Sequence, residues 1–194
     1  MKKIFLVIIL FFTLGNVLGQ DELPEIFPRD ENGKIIFTEV VQVDSTLNQS
    51  QLFGNAKLFF ANTFKSAKDV IQLEDKENGR IVGKGLSNIY ITVLTPVKMK
   101  LHYSILIECK DGRYKYTIYD LYYEDYPDKY NSYRTSKTPI ENTFETKRYY
   151  NRKGQPKSLF KQYKEKTEAE IENLVKLIKE SMETSGSKTS DSDW

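Results

Sequence analysis

The sequence predicts a two-layer α+β domain, in which one mainly antiparallel sheet of about five strands carries two helices on one face. Three observations predict this fold. Stretches rich in β-branched residues recur through much of the chain, an Asp-Gly pair lies between two of them, and a stripe of apolar residues with helical spacing lies near the C-terminus. Both helices would bury their apolar stripes against the sheet, and the other sheet face would stay open.

The first predicted strand leads directly into the first predicted helix. Residues 34–43 (KIIFTEVVQV) are rich in β-branched side chains, which is typical of a strand. Thr46 and Gln49 have the spacing of a capping box, so we expect a helix over about residues 47–65. Apolar residues recur there at helical spacing: Leu52, Ala56, Phe59 and Phe60.

Two further strands are predicted after this helix. Residues 70–73 form a short strand, and extended structure resumes at Arg80 after a turn. Gly83 and Gly85 indicate either a β-bulge or a close approach of another group to the backbone. The strand either continues as far as Val93 or restarts before it, and the sequence leaves both possibilities open.

The clearest signal in the middle of the chain is a hairpin. Residues 97–110 and 113–123 are two extended stretches joined by Asp111 and Gly112, a pair typical of a tight β-turn. With the elements before them, these strands give the order strand, helix, four strands.

A second helix is predicted at the C-terminal end, over about residues 167–183. Thr167 and Glu170 have the spacing of another capping box, and acidic residues crowd the first turns, where the helix dipole favours them. One apolar stripe follows: Ile171, Leu174, Val175, Ile178 and Met182.

These elements predict a single domain over residues 20–183. Its core is expected at about residues 34–123 together with the final helix, and residues 124–164 form a basic, Tyr-rich insert without clear periodicity. Residues 184–194 are rich in Ser, Thr, Gly and Asp and predict a disordered tail.

Residues 1–19 have the layout of a cleaved secretory signal. Lys2 and Lys3 precede an apolar run at residues 4–14, and small or modest residues precede Gln20. The run is shorter than the roughly 20 residues that cross a bilayer, and no Cys lies near the cleavage point for lipid attachment. We therefore expect a soluble, exported protein that is periplasmic or extracellular, is not a lipoprotein and has no transmembrane segment after cleavage.

The reactive side chains are too few for most enzyme chemistry. The chain has one Cys and one His, so it can form no internal disulfide, and these two residues cannot supply the ligands of a zinc site. Cys109 and His102 have opposite parity in one predicted strand and point to opposite faces, so they form no catalytic dyad. We expect no cofactor, no metal and no enzyme activity.

Tyrosine is concentrated in one part of the chain. All 13 Tyr lie between residues 90 and 163, and eight of them lie within residues 114–133. Tyr suits half-buried sheet positions, but the rings could also bind a sugar, a peptide or a partner on the open sheet face. The candidate aromatic positions are Tyr114, Tyr116, Tyr119 and Tyr123.

Charge is also distributed unevenly. Without residues 1–19 the chain has 27 Lys and Arg against 27 Asp and Glu, yet residues 129–164 alone carry a net charge of +8. This basic loop could pack against acidic parts of the chain, or it could bind an anionic envelope ligand. The candidate ligand surface consists of Lys147, Arg148, Tyr149, Tyr150, Arg152 and Lys153.

Four stretches together resemble a known family: residues 34–43, residues 51–64 (QLFGNAKLFFANTF), residues 68–85 (KDVIQLEDKENGRIVGKG) and residues 105–120 (ILIECKDGRYKYTIYD). They resemble an exported bacterial domain of unknown function described as having a TATA-binding-protein-like (TBP-like) fold. The resemblance covers about residues 34–123 and the final helix, and it implies a β-α-β-β-β-β-α half-saddle. It brings no catalytic residue and no ligand, and the name of the fold implies no nucleic-acid binding.

From these observations we expect a non-catalytic binding or interaction module of the bacterial cell envelope. Its partner would be an envelope protein, an anionic glycan or a lipid head group, with no nucleic acid bound in vivo. Two alternatives remain open: an envelope polysaccharide hydrolase that uses unidentified carboxylates, and a structural subunit of an envelope assembly.

Overall fold

The computed structural model describes residues 26–92, 96–126 and 135–183, except for the side chain of Arg148. The predicted export signal and the predicted disordered tail lie outside the described residues. Within these ranges the strands are β1 (Phe37–Gln42), β2 (Ile71–Asp75), β3 (Arg80–Thr92), β4 (Pro96–Lys110), β5 (Arg113–Asp125) and β6 (Lys137–Pro139). The α-helices are α1 (Gln49–Thr63), α2 (Ala67–Val70), α3 (Ile140–Phe144) and α4 (Ser158–Glu183).

All strand pairs in the sheet are antiparallel. The order is β1-β5-β4-β3-β2, and β6 pairs with the C-terminal end of β5. The predicted hairpin joins β4 to β5, where Gly112 has the positive φ of 69° that the tight turn requires. Strand β3 runs without a break to Thr92, which settles whether this strand continues or restarts.

Helices α1 and α4 lie together on one face of the sheet and enclose the core. Alternate residues of each central strand point towards them and are buried, whereas their neighbours point to the other face. The helices contribute apolar side chains that are almost completely buried, among them Phe59, Phe60, Ile171 and Ile178. Burying each such side chain stabilises the fold by about 1.5–3 kcal/mol. The predicted two-layer α+β fold is therefore confirmed.

The two glycines of β3 mark a close approach of the helical layer. A Cβ at Gly83 would clash with the ring of Phe60, and a Cβ at Gly85 would clash with the rings of Tyr103 and Phe64. The pairing of β3 with β4 shows no register shift along its length. In that ladder these glycines therefore serve close packing, whereas the pairing of β2 with β3 does contain a register shift, between Ile71, which pairs with Gly83, and Leu73. Both predicted possibilities are thus observed at Gly83.

Both predicted capping boxes are misplaced. Helix α1 is capped by Asn48, whose side chain accepts from the backbone N–H of Gln51 while the Gln51 side chain accepts from the backbone N–H of Asn48. Helix α4 begins at Ser158, nine residues before the predicted start, so Thr167 and Glu170 lie inside it. Their side chains make tertiary hydrogen bonds to Tyr123 and Ser87, respectively.

No helix among the described residues has both the length and the apolar composition needed to cross a membrane.

Candidate functional site

On the sheet face opposite α1 and α4, the described strands β3, β4 and β5 are covered by neither of these helices, and we call this side the open face. Of the four predicted aromatic positions, only Tyr119 lies on this open face. Tyr114, Tyr116 and Tyr123 are at most 5% exposed and point into the core beneath the helices. The prediction that these three rings lie on the open face and bind a ligand there is therefore wrong.

A β-bulge explains why Tyr123 is in the core rather than on the face that Tyr119 occupies. Ser104 of β4 pairs with Tyr119, but His102 pairs with Tyr122, so β5 contains one residue more than β4 between these pairs. Asp120 occupies the bulge with a positive φ of 51°, a conformation that Asp tolerates better than most residues. The extra residue shifts the alternation and turns Tyr122 towards the open face.

The open face carries an excess of positive charge. The register places eight cationic side chains on this face: Arg80, Lys84, Lys98, Lys100, Lys110, Arg113, Lys115 and Lys137. Four carboxylates share it, namely Asp75, Glu108 and Glu124 and, at the bulge, Asp120. The face therefore carries a net charge of +4, and such a surface attracts anions at a range set by the ionic strength.

A cluster of charged and aromatic side chains lies on this face towards the C-terminal end of β5. The carboxylate of Glu124 accepts a hydrogen bond from Lys100 at 2.9 Å, lies 2.8 Å from Nε2 of His102 and 3.9 Å from Nζ of Lys137. The hydrogen bond from Lys100 lowers the pKa of Glu124, so this group stays ionised. Burial lowers the pKa of His102, against the opposing effect of Glu124, so the imidazole is mainly neutral at pH 7.

Two tyrosine rings of the open face interact with cations or with the imidazole of His102. The Tyr122 ring stacks on His102 with centroids 4.4 Å apart and an angle of 7° between the planes. Nζ of Lys137 lies 5.3 Å from the centroid of Tyr122, and Nζ of Lys98 lies 4.6 Å from that of Tyr126. Aromatic surface and positive charge thus occur on the same face.

A cleft of about 370 Å³ opens beside this cluster. Its floor is the open sheet face, and one wall is the lead-in to β1, which folds back at Gly33 so that Arg29 and Ile35 form a β-bridge. The side chains at the cleft include Lys34, Lys84, His102, Tyr119, Asp120 and Tyr122. The cleft combines rings, two ammonium groups and the backbone of the bulge, which suits a polar ligand with a ring-shaped apolar face.

Most carboxylates of this cleft have structural partners. Asp30 accepts the backbone N–H groups of Asn32 and Lys34 at 2.9 and 2.8 Å. Glu141 is buried and accepts the backbone N–H of Ile35 at 2.9 Å. Asp30 and Glu141 thus each hold backbone N–H groups through one oxygen, and Asp120 is the third described carboxylate of the cleft, whereas the usual glycosidase mechanism uses a pair of carboxyl groups free for catalysis.

The predicted ligand surface in the basic insert is divided between packing and solvent. Tyr150 is buried and donates to the carbonyl of Phe144 at 2.6 Å, and the Tyr149 ring stacks on Phe160 at 3.6 Å. These rings attach the insert to α4, so the prediction that Tyr150 belongs to an exposed ligand surface is wrong.

The cationic residues of the insert lie apart from those packed rings. Lys147 begins a short 3-10 turn, and the Arg148 side chain lies outside the described part of the chain. Arg152 and Lys153 are exposed in a tight turn closed by Asn151. Their role in binding an anion stays a prediction.

Cys109 has the environment of a structural residue. It is 1% exposed, and burial raises the pKa of its thiol to about 12, so almost no thiolate forms at neutral pH. His102 points to the opposite face, as predicted from parity. Within the described residues, no group of three or more His, Cys, Asp or Glu side chains is arranged to hold a metal ion.

The family resemblance is confirmed by comparison with known proteins. The model of the family "Domain of unknown function (DUF4468) with TBP-like fold" matches residues 37–124. A DUF4468 family protein from Bacteroides ovatus ATCC 8483 is similar in structure, with a TM-score of 0.64 and 18% identity over 86% of this chain and 95% of that one. A TBP-like protein from Parabacteroides distasonis ATCC 8503 gives a TM-score of 0.60 and 19% identity over 83% of this chain and 99% of that one.

At these identities the two structures establish the TBP-like fold and leave the function open. Among curated proteins, none matches this chain.

Proposed function

We propose that this TBP-like protein is an exported, non-catalytic binding module of the bacterial cell envelope, and that its open sheet face binds an anionic glycan. The observation that carries the proposal is the combination of a +4 face with exposed aromatic rings and a cleft. Cations attract the acid groups of such a polymer, and tyrosine rings pack against the apolar faces of sugar rings.

The arrangement of the charges supports a long ligand rather than a single ion. Lys110 and Arg113 lie at the hairpin end of the sheet, whereas Lys98 lies near its other end, twelve residues along β4 from Lys110. Strand residues rise by about 3.3 Å, so the cations extend over roughly 40 Å. A polymer with one acid group on each of several sugars could contact several of them at once, which raises its affinity above that of a monosaccharide.

The side chains at the cleft favour binding over hydrolysis. Asp30 and Glu141 are engaged with backbone N–H groups, so their hydrogen-bonding capacity serves the lead-in to β1. Asp120 alone does not provide the acid and the nucleophile or base of a glycosidase. We therefore favour a binding module over the alternative of a polysaccharide hydrolase.

Neutralising three exposed cations of the open face tests the proposal. In the variant Lys84→Gln, Lys110→Gln, Arg113→Gln we expect the affinity for an oligogalacturonate to fall by roughly tenfold or more, since each exposed charge contributes on the order of 0.5–1 kcal/mol. Isothermal titration calorimetry at low and high salt measures this, and the wild-type affinity should fall as salt rises. A neutral oligosaccharide of equal length should bind more weakly than the oligogalacturonate.

The matched control removes three exposed cations from the helical layer: Lys161→Gln, Lys166→Gln and Lys176→Gln. This control has the same net charge as the open-face variant, so any loss of affinity that both share comes from net charge alone. Equal losses in the two variants, or equal affinity for the neutral and the acidic oligosaccharide, would refute the assignment of the open face.

A further inference from the structure

A second surface lies on the opposite side of the sheet from the proposed glycan site. A groove of about 760 Å³ runs between strand β1 and the flank of helix α4. Apolar parts of Phe37, Tyr116, Ile171 and Val175 line it. Tyr116 is 5% exposed and Ile171 is 3% exposed, so their rings and methyl groups form the bottom of the groove, whereas Val175 is half-buried and accessible.

One side of this groove is the outer edge of strand β1. In the described residues β1 pairs with β5 along Phe37–Gln42, and no strand pairs with its other edge. An edge of this kind presents backbone N–H and C=O groups that can pair with an extended segment. A strand added there would alternate its side chains between the open face and the groove, so every second side chain would point towards α4.

The rim of the groove is acidic. Five glutamates line it, namely Glu39, Glu168, Glu172, Glu180 and Glu183, against Lys176 and Lys179, so the lining carries a net charge of −3. Lys179 pairs with Glu39 at 2.8 Å, and Tyr116 donates to Glu39 at 2.7 Å. The hydrogen bonds from Lys179 and then Tyr116 lower the pKa of Glu39, which keeps this carboxylate ionised at neutral pH.

We propose that this groove binds an extended, basic segment of a partner protein, which adds to the edge of β1 as a further strand. Main-chain hydrogen bonds to β1 would supply affinity for any extended segment, apolar side chains would fill the groove over Val175, and Lys or Arg side chains would meet the glutamates of the rim.

The acidic charge of the groove rim favours a basic partner segment over a second copy of the chain. Symmetric pairing of β1 with β1 of a second copy would bring two acidic rims together. Like charges in that position disfavour the dimer, whereas a basic segment compensates them. The inference is independent of the glycan proposal, because it uses another surface and the opposite charge.

Two short peptides test this inference with the chain from residue 20 onwards. One is an extended eight-residue peptide of Val, Thr and Lys, and the other replaces each Lys by Glu. We expect the Lys peptide to bind at least tenfold more tightly by fluorescence anisotropy, with a difference that shrinks as salt rises. Bound Lys peptide should slow backbone amide hydrogen exchange in Phe37–Gln42, because strand addition pairs the free edge.

Two variants of the groove and one control variant test whether the peptide binds there. The double variant Glu172→Gln, Glu183→Gln removes two exposed charges from the rim and should lower the affinity for the Lys peptide severalfold. The control variant Glu31→Gln, Glu77→Gln removes two exposed charges elsewhere and should leave that affinity unchanged. Val175→Arg should abolish binding by filling the groove, and a thermal melt shows whether that variant folds.

Three results would overturn the inference. The Lys peptide could bind no more tightly than the Glu peptide, or it could bind without any change in exchange at β1. The chain alone could form a dimer in which β1 is already protected, and the occupant would then be a second copy.

Discussion

Two buried tyrosines illustrate how single hydroxyl groups matter in this core. The hydroxyl of Tyr123 bonds to Oγ1 of Thr167 at 2.6 Å, and both residues are almost completely buried. The hydroxyl of Tyr114 is buried too, but it has no hydrogen-bond partner among the described residues. Burying a polar group without a hydrogen-bond partner destabilises the folded state, whereas a hydrogen bond to the buried group offsets that cost.

We therefore expect opposite effects from the same substitution at these two positions. Tyr123→Phe should lower the free energy of unfolding by about 1 kcal/mol or somewhat more, because it leaves the Thr167 hydroxyl without Tyr123. Tyr114→Phe should be neutral or stabilising by up to about 1 kcal/mol. Urea unfolding of both variants measures the difference, and a loss in Tyr114→Phe as large as that in Tyr123→Phe would contradict the assignment of an unpaired hydroxyl.

The sequence shows where tyrosines are concentrated along the chain, but it does not predict which of their rings are exposed. Alternation correctly places Tyr114 and Tyr116 together on one face, yet it does not say that this face lies under α4. Tyr123 fails for another reason, because the bulge at Asp120 changes its parity relative to Tyr119. Nothing in a single sequence distinguishes an Asp that occupies a bulge from one on an ordinary strand.

The packing of helix α1 against strand β3 strictly limits the size of the side chains at their contact. Gly83 lies directly beneath the Phe60 ring, whereas Gly54, within α1, has no other group within 4 Å of the position where a Cβ would lie. The two glycines therefore serve different purposes, although both lie inside regular secondary structure.

Alanine substitutions should separate these two glycines. Gly83→Ala should destabilise the protein by roughly 1–3 kcal/mol, since the Phe60 ring has to move within a packed core. Gly54→Ala should stabilise it by about 0.5–1 kcal/mol, because alanine favours the helix. Thermal melts compare both variants with the wild type, and a Gly83→Ala protein as stable as Gly54→Ala would mean that β3 and α1 are not in such close contact.

The elements also show what sequence patterns can and cannot predict. The hairpin at Asp111 and Gly112 is predicted with its strands within two residues, because turn chemistry is local. The start of α4 is missed because residues 158–166 have a mixed, strongly charged sequence in which only Phe160 is fully buried. Its early turns are held by tertiary packing against the insert, including the stacking of Tyr149 on Phe160.

Across the whole molecule, charge is separated between the two sides of the sheet as well as along the chain. Residues 81–128 are neutral as a segment, yet all six of their Lys and Arg residues point to the open face. The acidic groove beside α4 lies on the other side. A count of charges by chain segment therefore indicates residues 129–164 as the basic region. A count of the charges at alternate strand positions instead indicates that the open face is basic.

Under the two proposals, each side of the molecule would bind a different kind of partner. The open face favours anions, and the groove at the free edge of β1 favours cations. Export would place both surfaces where envelope glycans and proteins occur together, so one molecule could hold a partner protein on a glycan.

The most direct test of the central claim is a titration of the isotope-labelled chain with an oligogalacturonate, followed residue by residue through backbone amide NMR shifts. We expect the shifts to concentrate at the open face of β3, β4 and β5 and around the cleft, with the largest changes near Asp120 and Tyr122. Shifts confined to residues 147–153, shifts confined to the groove between β1 and α4, or no shifts at all would contradict the claim that the open sheet face is the glycan site.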